Sequence, residues 1–344
     1  MNPSILHFCT YFDHNYLPRG LALCRSLIRH CPQARLWVLC LSPECHDVLG
    51  RMNLPGIHRI SMEEFETGDE PLRKAKTNRK KVEYYFTCTP SLPLYVMRQC
   101  PQAEMVTYLD SDLYFFGSPE SVFDEIAAHS IAIIDHKFPP PLQERCRPTG
   151  KYNVGWVSFR RDEEGLACLQ WWRERCLEWC HDYVDGDRFA DQKYLEKWPG
   201  MFKNLVELQH KGANTAPYNL ANYQVRLDGG RIWIDQDPLV VFHFHGFNQI
   251  ASFLYDPYFH NYRVPMTKTL RQAICLPYVR AYRQAMAQVQ PFLKGAAPRF
   301  KTRASSRRIS WRRPHKFLYN DCLLLAERAK HLIAGDYVVC FSKE

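Results

Sequence analysis

The sequence predicts an α/β fold: a mostly parallel sheet flanked by helices. Three observations carry this. Strand-like runs and segments of helical apolar spacing alternate from the first residues onward. The clearest early strand, residues 36–41, is wholly apolar, as expected of a strand covered on both faces. At 344 residues, 46% hydrophobic and 14% aromatic, the chain can fill a large core.

Residues 5–12 read as the first strand. Leu21, Leu23, Cys24, Leu27 and Ile28 give residues 20–30 a helical period. After the strand at 36–41, Ser42-Pro43 opens a second helix with proline in its first turn. Residues 56–60 form a third short strand. The basic stretch 74–81 is either a solvated helix face or a loop facing a polyphosphate. A helix over 90–99 leads into the segment 104–116, where β-favouring residues run into Asp110-Ser111-Asp112 and stop at Gly117-Ser118-Pro119.

Read as one extended strand, that segment points Asp110 and Asp112 to the same face, roughly 7 Å apart. Two carboxylates beside an apolar strand are costly unless a cation lies between them, and oxygen ligands suit Mg²⁺ or Mn²⁺. A solvated turn after an edge strand is the competing reading. A helix at 121–128, a strand at 131–134, a loop from 139 to 150 and a strand at 151–159 follow, then a tryptophan-rich helix. Residues 210–219 form a polar connector, and 239–246 a buried strand with His243 and His245 on one face. A satisfied core histidine pair is the alternative there.

Composition excludes several classes. No basic segment followed by an apolar run opens the chain, so no signal peptide is expected, and no apolar run reaches spanning length. The 14 cysteines are scattered without a Cys-x-x-Cys; Cys176, Cys180 and His181 read as buried thiols in a helix and not as a metal site. A reducing, cytoplasmic setting is expected. Neither a Gly-x-Gly-x-x-Gly nor a Gly-x-x-x-x-Gly-Lys-Ser/Thr loop is present. The net charge of +9 is uneven: residues 291–344 hold 12 Lys and Arg against 4 acids, and residues 1–290 hold 33 against 32. A catalytic domain over 1–265 and a basic helical extension over 266–344 are expected. Residues 299–330, with Phe300, Ile309, Trp311 and Phe317 among the basic residues, are expected to meet an anionic membrane surface on its inner face. No nucleic-acid motif accompanies this charge.

Taken in order, stretches across residues 5–250 resemble the GT-A glycosyltransferases, most closely family 8. Residues 10–16, with Tyr11, Asp13 and Asn15, look like that family's base-binding turn. Val106-Thr107-Tyr108-Leu109-Asp110-Ser111-Asp112 looks like its Tyr-Leu-Asp-x-Asp metal motif. Asn153-Val154-Gly155 resembles the strand start beside the donor sugar, and Asp191-Gln192 the pair facing the sugar and its anomeric carbon. His243-Phe244-His245-Gly246 resembles the segment supplying a third metal ligand, His243 or alternatively His245.

The resemblance implies a retaining transfer from a nucleotide-sugar, a UDP-sugar above all, to a glycan or lipid-linked acceptor, with Mn²⁺ or Mg²⁺. Asp110, Asp112 and His243 would hold the metal, and Asp191, Gln192 and Asn153 would act on the sugar. Tyr11, Asp13, Asn15, Arg79, Gly155, Asn214, Asn219 and Gly246 would line the donor site. Where the family has a lysine three residues after that last glycine, this chain has Gln249. Diphosphate contacts are then expected from residues 74–81 or from the basic tail. A phosphoryl-transfer enzyme and a non-catalytic binding protein are the rival readings.

Overall fold

Seven strands form the central sheet: β1 (His7–Phe12), β2 (Arg35–Cys40), β3 (Ile57–Ser61), β4 (Met105–Leu109), β6 (Ile131–Asp135), β7 (Tyr152–Arg160) and β8 (Leu205–Leu208). Their order is β3-β2-β1-β4-β7-β6-β8. All run one way except β7, which lies antiparallel between β4 and β6. This is the mostly parallel, helix-flanked sheet that the alternating pattern predicts. The computed structural model describes residues 5–293 and 328–341. Of the expected membrane-facing stretch 299–330, residues 299–327 lie outside the described residues.

Successive strand residues feed opposite sides of the sheet. Phe8, Leu36, Val38 and Leu109 pack with Leu21, Cys24 and Leu27 of the helix Leu17–His30. Cys9, Leu39, Val106 and Tyr108 pack on the other side with Tyr84, Tyr95, Trp172 and Trp198. Such apolar burial on both faces is why these strands lack a polar alternation. The helix Pro43–Met52 starts where expected, with the Ser42 hydroxyl accepting from the Cys45 amide. The tryptophan-rich helix is Glu163–Glu178, capped by Asp162 through the Gly165 amide at 2.8 Å.

The segment around the two aspartates differs from the expectation of one extended strand. The main sheet is left at Leu109, a turn brings the Leu113 amide back to the Asp110 carbonyl at 3.4 Å, and β5 (Leu113–Phe115) joins another sheet. Asp110 and Asp112 therefore converge through a turn and not by strand alternation.

After a hairpin of β9 (Val225–Asp228), β10 (Arg231–Ile234) and β11 (Asp237–Pro238), strand β12 (Val241–His243) pairs antiparallel with β5. A last small sheet holds β13 (Asn248–Ala251), β14 (Leu254–Asp256) and β15 (Val338–Val339). The helix Leu276–Val289 joins these parts: Tyr278, Val279 and Tyr282 pack beneath the small sheets, while Ala285 and Val289 enter the core beside Leu21. Tyr278 stacks on Phe244, with centroids 3.6 Å apart and planes 8° from parallel. The 12 cysteines whose side chains are described are free thiols, all buried except Cys100. Among the described residues, no helix is long and apolar enough to cross a membrane.

Candidate active site

The carboxyl ends of β1 and β4, the start of β7 and the end of β12 meet at one edge of the sheet. Crevices beyond strand ends are where open α/β sheets bind ligands. Register decides the central cluster. Pairing of β12 with β5 sets His243 opposite Leu113, and the Phe244 amide donates to the Asp112 carbonyl at 3.0 Å. His243 Nε2 then lies 3.0 Å from Asp112 Oδ1 and 3.8 Å from Asp110 Oδ2. One ligand atom from each of these three residues falls within 4.8 Å of the others.

Two carboxylates and an imidazole can hold a divalent cation; the imidazole suits a first-row transition ion such as Mn²⁺ better than Mg²⁺, which takes oxygen ligands. His243 is held from behind: its Nδ1 lies 3.4 Å from the Tyr218 hydroxyl, which donates to Asn214 Oδ1 at 3.0 Å. That contact orients the ring and leaves Nε2 toward the carboxylates. His245 lies beyond the strand end, exposed, its ring 5.8 Å from that of His243 and against Tyr218, Tyr258 and Tyr262.

Electrostatics divide the aspartates. Burial raises Asp110 to about 6 against the pull of His243, and Asp112 adds to the rise. Burial also raises Asp112, but the charge and hydrogen bond of His243 outweigh it and hold that carboxyl well below the usual range. His243 is pushed above its ordinary value, because the attraction of Asp112 overcomes the burial that would lower it.

Asp191 approaches from a different element. Ala190 is held in the left-handed region at φ +46°, which turns the chain into the site; such strain costs on the order of 1 kcal/mol. The Asp191 carbonyl accepts from Trp172 Nε1 at 2.8 Å and its carboxylate is buried. Burial first, and Asp110 as well, raise it to about 7 although Thr89 hydrogen-bonds it. The space between the two acids is lined by hydroxyls: Tyr108 donates to Asp110 Oδ1 at 3.2 Å, and the Tyr11 hydroxyl lies 3.1 Å from Thr89 Oγ1.

The other sequence-derived candidates fall into two groups. Asp13 accepts from the Asn15 amide at 3.0 Å and its side chain at 3.1 Å, closing a tight turn after β1, with Lys81 Nζ 3.4 Å away. Asn153 Oδ1 accepts from the Gly155 amide at 2.6 Å, and its Nδ2 donates to His136 Nε2 at 2.9 Å. His136 is kept neutral by burial, which lowers it to about 3. Gly155 lies against His243: a Cβ there would sit 3.2 Å from Nδ1 and 2.3 Å from Asn153 Oδ1. Asn219 binds the His136 and Asn214 carbonyls at 3.0 and 2.8 Å and so braces the polar connector.

Gln192 donates to the Thr149 carbonyl at 2.7 Å. Arg79 is not brought to the carboxylates: its guanidinium donates to the Cys176 and Leu177 carbonyls, at the end of the helix Glu163–Glu178. Tyr108, Thr89, His136 and Tyr218 enter the site without having been singled out. Tyr108 and Tyr218 stood inside stretches already marked by their polarity or acidic ending, whereas Thr89 and His136 carry no local signal.

Gly246 sits at φ +75°, and a Cβ there would come within 2.1 Å of the Tyr258 ring. Gly246→Ala is expected to lower stability by about 2 kcal/mol, through strain and overpacking, and to disorder the turn after His243. Thermal melting, with and without Mn²⁺ and UDP, reads both effects.

No protein-family model matches the chain. Among solved structures it is similar to the galactosyltransferase LgtC in complex with donor and acceptor sugar analogues, at 16% identity and a TM-score of 0.47, over 81% of this chain and 96% of that one. Among curated proteins it is 32% identical to the uncharacterized protein YfnD of Bacillus subtilis over 83% of this chain and 92% of the relative. It is 30% identical to YfnF of the same organism over 71% of this chain and 82% of the relative. The chain belongs to one family with YfnD and YfnF.

Proposed function

We propose that this chain is a metal-dependent glycosyltransferase of GT-A type, moving a sugar from a nucleoside-diphosphate donor, UDP-linked above all, to a glycan or lipid-linked acceptor. The observation that carries the reading is the convergence of Asp110, Asp112 and His243 within 4.8 Å at the strand ends. Those three residues would hold a divalent cation, which would offset the charge developing on the diphosphate, otherwise a poor leaving group.

The protein's own groups supply the rest. Tyr11, Asp13 and Asn15 form the nucleoside side of the cleft. Asp191, buried near the Thr89, Tyr11 and Tyr108 hydroxyls, accepts from or donates to sugar hydroxyls and fixes orientation. Asn153, buried and with one N–H and one lone pair left after its bonds to His136 and Gly155, is assigned to the sugar with it. Retention of anomeric configuration, with Gln192 beside the reacting carbon, is the stereochemical reading; proton NMR of the first-formed product tests it.

The acceptor reading is a cytoplasmic enzyme at the inner membrane face, supported by the 12 basic residues in 291–344. Co-sedimentation with anionic vesicles, compared with neutral ones, tests that part. The central experiment is a panel of nucleotide-sugars scored by melting shift and hydrolysis, with Mn²⁺ and with EDTA. A shift and slow hydrolysis for one donor, lost in EDTA, is expected. Activity that survives EDTA overturns the metal site, and a phosphate-ester substrate turned over in place of any donor overturns the transferase reading.

A further inference from the structure

We infer that Arg19 is the residue that binds the donor's diphosphate, an assignment that rests on the glycosyltransferase reading above. Charge balance raises the question. A divalent cation offsets Asp110 and Asp112, and the diphosphate of a nucleotide-sugar then adds two negative charges in a half-buried site. These need a fixed positive partner.

The cations around the cleft are mostly committed. Lys81 is paired with Asp13 at 3.4 Å. Arg79 is spent on the carbonyls ending the helix Glu163–Glu178. Gln249, on the strand after the His243 turn, is neutral and donates to the Ala251 carbonyl at 3.1 Å.

Arg19 is placed differently. It sits in the first turn of the helix Leu17–His30, half-buried, with its guanidinium 4.5 Å from the centre of the Tyr16 ring. Its field reaches Tyr278, Tyr282 and Asp112. Nη2 donates to the Phe247 carbonyl at 2.6 Å, across 228 residues of chain. That bond clamps the turn of residues 244–247, which begins next to His243 and is closed by the Phe247 amide on the Phe244 carbonyl at 3.0 Å.

Among the described residues, no carboxylate lies within ion-pairing distance of Arg19. A guanidinium surrounded by aromatic rings, lacking a carboxylate partner and with further N–H donors, is an anion site in waiting. Its bond to the turn that follows His243, at the mouth of the carboxylate cluster, makes the anion the donor's diphosphate. The fork geometry of guanidinium suits two phosphate oxygens, which a lysine would meet only as a point charge.

The test uses the full chain and calorimetric titration with Mn²⁺ and each of UDP, GDP, CDP, ADP and dTDP, then the matching monophosphate. Arg19→Gln keeps an amide donor for the Phe247 carbonyl and removes the charge; Arg19→Lys keeps the charge. Arg19→Gln is expected to weaken the diphosphate by about 10- to 100-fold and the monophosphate by no more than about threefold, with Arg19→Lys recovering part of the loss. Melting without ligand checks that each variant is folded. Equal weakening of diphosphate and monophosphate, or no weakening of either, overturns the assignment of Arg19 alone. Failure of the wild-type chain to bind any of the five diphosphates overturns the glycosyltransferase reading, and this inference with it.

Discussion

On the proposed function, Asp112→Asn is expected to reduce metal-supported transfer by on the order of 1000-fold, since it removes both a proposed metal ligand and the partner of His243. Asp110→Asn is expected to cause a similar loss. The two are distinguished by stability in EDTA. Asp112 is held below the usual carboxylate range when folded, so its ionised form stabilises the fold above the unfolded value near 3.8. That contribution is lost as pH falls through the folded value, so at pH 7 the Asp112→Asn variant melts lower than wild type.

Asp110 has the opposite sign. Its folded value is raised to about 6, so ionisation weighs against the fold at higher pH. Without metal, Asp110→Asn should therefore melt higher than wild type at pH 8, with the difference shrinking toward pH 4. Titration with Mn²⁺ reverses the order, because only the wild type gains from the cation. Melting curves for both variants from pH 4 to 8, with EDTA and with Mn²⁺ plus UDP, measure all of this. Equal behaviour of the two variants in EDTA would contradict the division of roles, and retained activity in either would sink the site.

The second large effect is expected at Asp191. Asp191→Asn should cut transfer by about 100-fold, as removal of a preorganised polar partner of the substrate does, with the loss mostly in kcat. The same change should stabilise the protein at alkaline pH. Burial raises the folded value to about 7, so the folded state holds this proton more tightly than the unfolded chain does. Stability from this group is complete below about pH 4 and falls as pH rises toward 7. Above that the buried charge costs roughly 4 kcal/mol, at 1.36 kcal/mol per pKa unit. The melting advantage of Asp191→Asn should thus be near zero at pH 4 and largest at pH 8.5. A variant with wild-type kinetics, or with a pH-independent melting difference, would remove Asp191 from the catalytic cleft.

The local readings that succeeded have a common cause. The helix Leu17–His30 announces itself because Leu21, Cys24 and Leu27 must share one face to reach the sheet. Strand β2 is legible because both of its faces are covered. The small helices Met62–Glu66 and Glu70–Lys76 escaped notice, being too short to develop a period. Basic residues 74–81 could be read either as a solvated helix face or as a polyphosphate-facing loop; residues 74–76 close the helix Glu70–Lys76, and Arg79 is consumed in satisfying the end of a helix that begins 84 residues later in the chain.

By itself, then, the sequence determined the alternating architecture and which residue types lie at the strand ends: Asp110 and Asp112 after the strand that became β4, Asn153 at the start of β7, and His243 and His245 on the strand expected over 239–246. Those follow from apolar periodicity and the cost of a charge beside an apolar run, and both act over a few residues. Tertiary structure decided how the strand ends meet. The turn at Ser111, and not strand alternation, brings the two carboxylates together, and the register of β5 with β12 selects His243 over His245. Long-range pairing likewise places Thr89 against Asp191, Tyr218 behind His243, and Arg19 on the Phe247 carbonyl. Each of these is a contact between residues far apart in the chain, fixed by backbone pairing and core packing that no short window encodes.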